Sequence, residues 1–316
     1  MTDRIPVIVA GVSELQANDP TLLVATEVAR AAGAELHLVH TYQLPPVMAM
    51  PAGTEVAFPE GYTQYADLLL ESLRSAARAL PGGEAAKCRV ILGPPGPTLA
   101  SFAAHVHADL LIVGAARGSR LGRTLLGTTA QRVLREAKVP VLVARRPVTP
   151  LRRVLLTTDL SPLSGAVHDT ALQTIETFFG TPERVRSLMV LGWLGIPEPL
   201  TPEALDRAAC RELEAFLHAR ANAGHDVEPV VRSGITADEI VDEALDWGAD
   251  LVVVGTHARG WGARMMLGSV AEAALRDAPC NVLAVPPIPV VADAAPGFEP
   301  WREAAEPAEA WLGAGI

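Results

Sequence analysis

The stretch that decides the fold is ADLVVVGTHARGWGARMMLGSVAEAAL, residues 249–275. An apolar run ends at Gly255, a loop rich in glycine and arginine follows, and Gly268 opens a second apolar run. A similar stretch, ADLLIVGAARGSRLGRTLLGTTAQRVL, occupies residues 108–134. The pattern is typical of a buried strand, a turn and a helix, and its recurrence indicates an internal repeat.

The repeat extends beyond these two stretches. An offset of 141 relates the halves without a gap over about fifty residues, from Gly93 to Leu142. The starts of the halves correspond at an offset of 148, which matches Gly11 with Asp159. The first half therefore carries about seven extra residues, which are most simply placed in segment 42–62.

We expect two domains of the same fold, 1–148 and 149–287, followed by a tail at 288–316. In each half, short runs of Val, Leu and Ala alternate with helical patterns, which predicts a parallel sheet with helices on both faces. The tail is rich in Pro, Ala and Glu, so we expect order only where Trp301 or Trp311 docks.

Composition argues against several classes of protein. The net charge of −10 disfavours a nucleic-acid-binding protein, which needs a basic face. No run of 18 apolar residues occurs, and the N-terminus resembles a first strand more than a signal peptide. Three widely spaced cysteines are consistent with reduced thiols. We therefore expect a cytoplasmic protein without a membrane span.

The loop after Gly255 lies where ligands bind in open α/β sheets, beyond the carboxyl ends of the strands. Gly268 and Ser269 begin the next helix, whose N-terminus offers unpaired N–H groups and a partial positive charge. These features favour phosphate, although glycine at this point also serves simply to make the turn. The loop has no Walker A lysine, and no Gly-x-Gly-x-x-Gly unit opens either half.

The order of these parts resembles the universal stress protein family. The residues that carry the resemblance are VLLTTDLSP at 154–162, VVVGTHARGWGARMMLGSVAEAAL at 252–275 and APCNVLAV at 278–285. The resemblance covers 1–286 and implies two tandem five-stranded parallel α/β sandwiches of the adenine-nucleotide α-hydrolase-like type. It also implies a nucleotide loop, G-x2-G-x9-G-(S/T). One branch of the family binds ATP, and another does not.

In the second half, the resemblance implies a nearly intact nucleotide site. Asp159 matches the carboxylate that contacts adenine in the ATP-binding branch. Ala258 replaces the second glycine of the loop, and the neighbouring His257 is equally compatible with exposure to solvent. The implied nucleotide-binding residues are Thr158, Asp159, Gly255, His257, Ala258, Gly268, Ser269 and Val270.

The first half departs from the family pattern at two positions. Gly11 stands where the adenine-side carboxylate is expected, and Arg117 stands at the second glycine, while Gly114, Gly127 and Thr128 are retained. Arg117 can either reach a phosphate or fill the pocket, and the missing carboxylate favours filling. We therefore predict a degenerate site in this half.

No set of residues predicts a catalytic or metal site. His105 and His107 would point to different sides of one helix, so they do not suggest a metal pair. Asp159, Ser161 and His168 form a cluster at a helix start and do not have the order of a catalytic triad. The prediction is therefore no catalytic residues and no protein metal ligands.

The sequence thus predicts a tandem universal-stress-type protein that binds ATP or a related adenine nucleotide, mainly in its second half. Mg²⁺ would accompany ATP, and the role would be in a stress response or in regulation. Slow ATP hydrolysis is the most turnover expected. Two alternatives stay open: a nucleotide-free interaction module and an enzyme of the wider α/β nucleotide-binding class.

Each half ends in a short apolar strand, VPVLVAR at 139–145 and CNVLAVPP at 280–287. Unpaired edge strands are a liability, and in the family such strands pair across a twofold axis between subunits. We therefore predict an intramolecular pseudo-dimer in which these two strands pair antiparallel. A further homodimer would use another surface, such as the 42–62 insert or the tail. The predicted seam residues are Val141, Leu142, Val143, Val282, Leu283 and Ala284.

Overall fold

The computed structural model describes residues 4–43, 60–115, 127–147, 150–192, 201–220, 224–256 and 267–286. Three of the predicted loop residues, Arg117, His257 and Ala258, lie outside these ranges. Residues 44–59 of the insert and the whole predicted tail also lie outside them.

Strands and helices alternate in both halves, as the sequence predicts. The first half contains, in order, β1 (Val7–Gly11), α1 (Pro20–Ala32), β2 (Glu35–Tyr42), α2 (Glu60–Arg78), a short 3-10 helix (Gly83–Ala85), β3 (Lys87–Leu92), α3 (Pro95–His105), β4 (Leu110–Gly114), α4 (Thr128–Glu136) and β5 (Val141–Ala144). The second half contains β6 (Arg153–Thr158), α5 (Pro162–Phe179), β7 (Arg184–Gly192), α6 (Pro202–His218), β8 (Val227–Gly234), α7 (Thr236–Trp247), β9 (Leu251–Gly255), α8 (Ser269–Asp277) and β10 (Asn281–Val285).

Local residue chemistry accounts for several helix ends. Helices α1, α3, α5 and α6 have proline in the first turn, where its missing N–H has no cost. Helix α1 ends at Gly33, which adopts a left-handed conformation with φ 61°. Helix α3 ends at His105, and His107 follows with φ 51°. The prediction that His105 and His107 share one helix is therefore wrong.

All the strands form one sheet with the order β3-β2-β1-β4-β5-β10-β9-β6-β7-β8. Neighbouring strands are parallel within each half, and β5 pairs with β10 antiparallel. This arrangement confirms the predicted α/β class and the predicted seam. The seam pairs are Val143 with Val282, Leu142 with Leu283, and Val141 with Ala284.

A local twofold axis passes through the centre of the seam. Leu142 and Leu283 are equivalent under the repeat offset of 141, and they lie directly opposite each other. Facing equivalent residues are what an isologous twofold contact requires. The chain therefore forms within itself the interface that a symmetric dimer would form between subunits.

Helices cover both faces of the sheet, and both cores run through the seam. One apolar core packs α1, α2, α5 and α6 against the sheet, and the other packs α3, α4, α7 and α8 against the opposite face. Leu142 and Leu283 belong to the first core, whereas Val143 and Val282 belong to the second. The period-two alternation of strand side chains explains this division.

The extra residues of the first half lie between β2 and α2. These elements are separated by residues 43–59, whereas β7 and α6 are separated by only 193–201. A second difference was not predicted: the β1–α1 connection spans 12–19, whereas the β6–α5 connection spans 159–161. Helix α1 is shorter than its counterpart α5, and this difference compensates for the longer β1–α1 connection.

Asn281 closes one end of the seam with side-chain hydrogen bonds. It is fully buried, and its Oδ1 accepts from the backbone N–H of Arg145 at 2.7 Å and of Arg146 at 3.2 Å. Its Nδ2 donates to the carbonyl of Arg146 at 2.9 Å. The equivalent position in the first half is Pro140, so this closure occurs once.

Replacing Asn281 with Leu should lower the free energy of unfolding by about 2–3 kcal/mol, because it leaves backbone groups at the seam without partners. Urea denaturation measures the change. Lys138→Ala, at an exposed position beside β5, serves as the control and should shift stability by no more than about 0.5 kcal/mol. Equal stability of Asn281→Leu and the wild type would contradict this role.

His168 is a fully buried side chain on α5. Its Nε2 lies 3.4 Å from the hydroxyl of Ser187, and its ring packs edge-on against Phe216. Burial lowers the pKa of His168 from 6.5 to about 4, and nearby Arg220 contributes to the shift. The folded protein therefore holds this imidazole in its neutral form at neutral pH.

The depressed pKa of His168 predicts a loss of stability in acid. Between pH 6.5 and about 4 the unfolded chain binds a proton here that the folded chain does not. Stability from this group is therefore complete above pH 6.5 and falls by up to about 3 kcal/mol as the pH approaches 4. His168→Gln should flatten the pH dependence of urea denaturation, whereas His218→Gln, at an exposed site on α6, should not. Parallel profiles for wild type and His168→Gln would contradict the assignment.

Candidate functional site

The candidate site of the second half lies at a topological switch point of the sheet. Strand β6 lies between β7 and β9, and the connections that leave β6 and β9 run in opposite directions, to β7 and to β10. Ligands of open α/β sheets bind in the crevice at such a point, beyond the carboxyl ends of the strands. Thr158 and Gly255 end the two strands that border this crevice.

Hydrogen bonds fix the backbone and the carboxylate at the end of β6. Asp159 Oδ1 accepts from the N–H of Ser161 at 2.9 Å and from the hydroxyl of Ser164 at 2.5 Å. The hydroxyl of Thr158 accepts from the N–H of Leu160 at 3.1 Å. Leu160 has φ 54°, a left-handed conformation that costs a non-glycine residue roughly 1 kcal/mol. The turn therefore holds the exposed Asp159 side chain in place at the mouth of the crevice.

The two ends of the predicted nucleotide loop lie side by side. The N–H of Gly268 donates to the carbonyl of Thr256 at 3.2 Å, and the N–H of Thr256 donates to the carbonyl of Val285 at 3.1 Å. The end of β9 and the start of α8 are thereby joined. Any ligand held by the loop would meet the N-terminus of α8 directly.

Helix α8 begins without a side-chain cap. Gly268 is its N-cap residue, with φ −60° and ψ 141°, and as a glycine it has no side chain to accept a hydrogen bond from the first turn. Ser269 is exposed, and Val270 is also on the surface. The first N–H groups of a helix have no partner within the helix, and such groups can bind an anion.

Backbone conformation does not require glycine at Gly255 or Gly268, and crowding does not require it at Gly255. The dihedral angles of Gly268 are open to any residue. A Cβ at Gly255 would lie 3.4 Å from the side chain of Val167, which is an ordinary contact. Close approach of another molecule is one physical reason for glycine at Gly255.

The first half contains a cavity of about 410 Å³ at the equivalent edge of the sheet. Its size falls within the range of small-molecule sites. The cavity includes Gly11, Gly114 and Gly127 of the predicted degenerate site. Other lining residues, which the sequence did not identify, include Ser13, Glu14, Asp19, Thr21 and His40.

Side chains lie close to two of the glycines that line this cavity, Gly11 and Gly114. A Cβ at Gly11 would lie 2.5 Å from a methyl group of Leu99, and a Cβ at Gly114 would lie 2.8 Å from the hydroxyl of Thr21. Both distances are shorter than real Cβ contacts, so the Leu99 or Thr21 side chain would have to shift to admit a larger residue. Crowding therefore disfavours a larger residue at Gly11 and Gly114, whereas Gly255, the counterpart of Gly114, is not crowded.

Asp19 also lines the first-half cavity. Both oxygens of its carboxylate accept hydrogen bonds from nearby residues. Asp19 is buried and is the N-cap of α1, where its Oδ1 accepts from the N–H groups of Thr21 and Leu22. Its Oδ2 accepts from the hydroxyl of Ser13 and the N–H of Glu14. These four bonds tie the long β1–α1 connection together. The contrast with α8 is clear, because α1 satisfies its own N-terminus.

The sheet register corrects one equivalence between the halves. Val7 accepts a backbone hydrogen bond from Asp109, and Arg153 accepts one from Asp250, so the strand starts correspond at an offset of 146 and not 148. Gly11 is therefore equivalent to Thr157, and Ser13 takes the place of Asp159. The sequence missed this because the β1–α1 and β6–α5 connections differ in length. The first half still lacks a carboxylate at that position.

The remaining predicted residues can be placed only in part. Gly127 is the N-cap of α4 and, like Gly268, has no side-chain capping bond, while Thr128 begins the helix. In the described ranges, no group of three His, Cys, Asp or Glu residues is arranged to hold a metal ion. Within the same ranges, no helix is long and apolar enough to cross a membrane.

Sequence comparison identifies relatives for both halves of the chain. A sequence model of the universal stress protein family matches residues 5–145 and 150–286. A universal stress protein of Mycobacterium tuberculosis is 28% identical over 202 residues, which are 57% of this chain and 65% of the relative. The chain therefore spans just under two thirds of that relative's length. One of Methanocaldococcus jannaschii is 27% identical over 124 residues, 39% of this chain and 72% of the relative.

Comparison of structures gives the same fold. A universal stress protein from Archaeoglobus fulgidus superposes with a TM-score of 0.61 at 17% identity, covering 89% of this chain and 98% of that one. At this level of identity the likeness concerns the fold alone. The two family matches, by contrast, account for nearly all of both halves. This chain belongs to the universal stress protein family.

Proposed function

We propose that the second half binds ATP or a related adenine nucleotide. The single observation that carries the proposal is the uncapped N-terminus of α8 at Gly268, joined by a hydrogen bond to the end of β9. Phosphate groups would lie against the first N–H groups of α8, with Ser269 beside them. The adenine would lie toward Thr158 and the fixed carboxylate of Asp159.

The difference between the halves supports placing the nucleotide in the second one. A Cβ at Gly11 or Gly114 would crowd Leu99 or Thr21, whereas a Cβ at Gly255 would make only an ordinary contact with Val167. The first half has Ser13 where the second has Asp159, and the hydroxyl of Ser13 donates to Asp19 at 3.3 Å. The first half is therefore proposed to be a degenerate partner for ATP.

Mg²⁺ would enter with the nucleotide and not through a protein site. Mg²⁺ keeps several water ligands and is commonly held by the phosphates of a substrate. The described residues supply no three-ligand cluster of their own, so phosphate oxygens and water would coordinate Mg²⁺. Asp159 lies at the adenine side of the proposed site and is not assigned a metal role.

The proposed biological role is in a cytoplasmic stress response or in regulation through nucleotide occupancy. Turnover is not proposed, since no described residue is positioned to activate a water against a phosphate. Two experiments distinguish this proposal from its alternatives. A nucleotide-free interaction module would retain no nucleotide on purification, and an enzyme would yield a phosphoryl or adenylyl product when incubated with ATP.

Gly268 and Gly127 offer a matched pair of variants. They are the N-cap residues of α8 and α4, with φ −60° and −62°, so leucine fits the backbone at either position. Gly268→Leu should weaken ATP binding at least tenfold, because the side chain would occupy the space that the phosphate needs. Gly127→Leu should leave ATP binding within about twofold of the wild type. Isothermal titration calorimetry measures both.

Circular dichroism and thermal denaturation of the same two variants establish that each one is folded. If Gly268→Leu binds ATP as tightly as the wild type, the second-half site is wrong. If Gly127→Leu alone loses binding, the nucleotide lies in the first half.

A further inference from the structure

Helices α4 and α8 are linked across the seam by one side-chain hydrogen bond. Nε2 of Gln131 donates to Oε1 of Glu272 at 3.2 Å. The two residues are equivalent under the repeat offset of 141, and each lies four residues after its N-cap glycine. The bond therefore joins the first turns of the two helices that begin at the predicted nucleotide loops.

Gln131 and Glu272 occupy equivalent positions, and they can be different residues because the two halves belong to one chain. In a symmetric dimer of identical subunits, the same residue would face itself across the twofold axis. Two facing glutamates would repel each other, whereas the amide of Gln131 donates to the carboxylate of Glu272. Both side chains are half-buried, so the bond is shielded in part from water.

The position of the Glu272 carboxylate matters for an anion at the start of α8. A carboxylate in the first turn is attracted to the positive end of the helix, as a phosphate would be. If it turned toward the N-terminus, it would repel the phosphate and compete for the same N–H groups. Arg276, one turn later, attracts this carboxylate without a hydrogen bond to it, because its guanidinium donates to Asp277 at 2.8 Å.

We propose that Gln131, a residue of the first half, is a positioning residue for the nucleotide site of the second half. It holds the carboxylate of Glu272 toward the seam and away from the N-terminus of α8. This inference rests on the proposed function and goes beyond it, because it makes the degenerate half a determinant of phosphate affinity in the other half.

The test compares ATP with adenosine, which has the same base and sugar but no phosphate. Gln131→Leu should weaken ATP binding about two- to fivefold, the size expected for a charge near a helix terminus, and leave adenosine binding unchanged. In a Glu272→Gln background, the same Gln131→Leu change should have no effect on ATP, because the competing charge is gone. Isothermal titration calorimetry on the full chain supplies all four ATP affinities and the adenosine controls.

Three results would overturn the inference. Unchanged ATP affinity in Gln131→Leu removes the role, and equal losses for ATP and adenosine show a packing effect. A loss that persists in the Glu272→Gln background shows that Glu272 is not the intermediary. Failure of the wild type to bind ATP would be a different result, because it would overturn the proposed function itself.

Discussion

The antiparallel pairing of β5 with β10 is the constraint on which the rest of the structure depends. It joins two five-stranded parallel sheets into one and covers two strand edges that would otherwise be open. Because Leu142 faces Leu283, the repeat becomes a local twofold axis. Both apolar cores then run through the seam, and the first turns of α4 and α8 come within hydrogen-bonding distance.

Because the two halves belong to one chain, equivalent positions can carry different residues where side-chain pairing or function favours a difference. Asn281 caps the seam from one side only, because the equivalent position in the other half is a proline. Near the two outer edges of the sheet, the ion pair of Glu35 with Lys87 is matched by Arg184 with Glu228, so the charges are reversed between the halves. The proposed division of labour follows the same logic: one half contributes scaffold and positioning, and the other contributes the ligand site.

The sequence was sufficient for the fold class, the tandem repeat and the residues of the seam, because buried strands and glycine loops leave a strong periodic signal. The sequence did not predict correctly how the starts of the two halves correspond. The loops after β1 and β6 differ in length, so sequence alignment did not match Ser13 with Asp159. It also missed how closely Leu99 and Thr21 approach Gly11 and Gly114, because these residues come from distant parts of the chain. Such packing contacts leave no local pattern in a sequence.

Amide hydrogen exchange, followed by mass spectrometry with and without saturating ATP and Mg²⁺, tests the central claim most directly. The amides of residues 269–271 and 128–130 begin α8 and α4, the two helices with uncapped glycine N-termini. A nucleotide whose phosphates accept hydrogen bonds from α8 should slow exchange at 269–271 and leave 128–130 unchanged. Unchanged exchange at 269–271, or slowing at 128–130 alone, would contradict a nucleotide site in the second half.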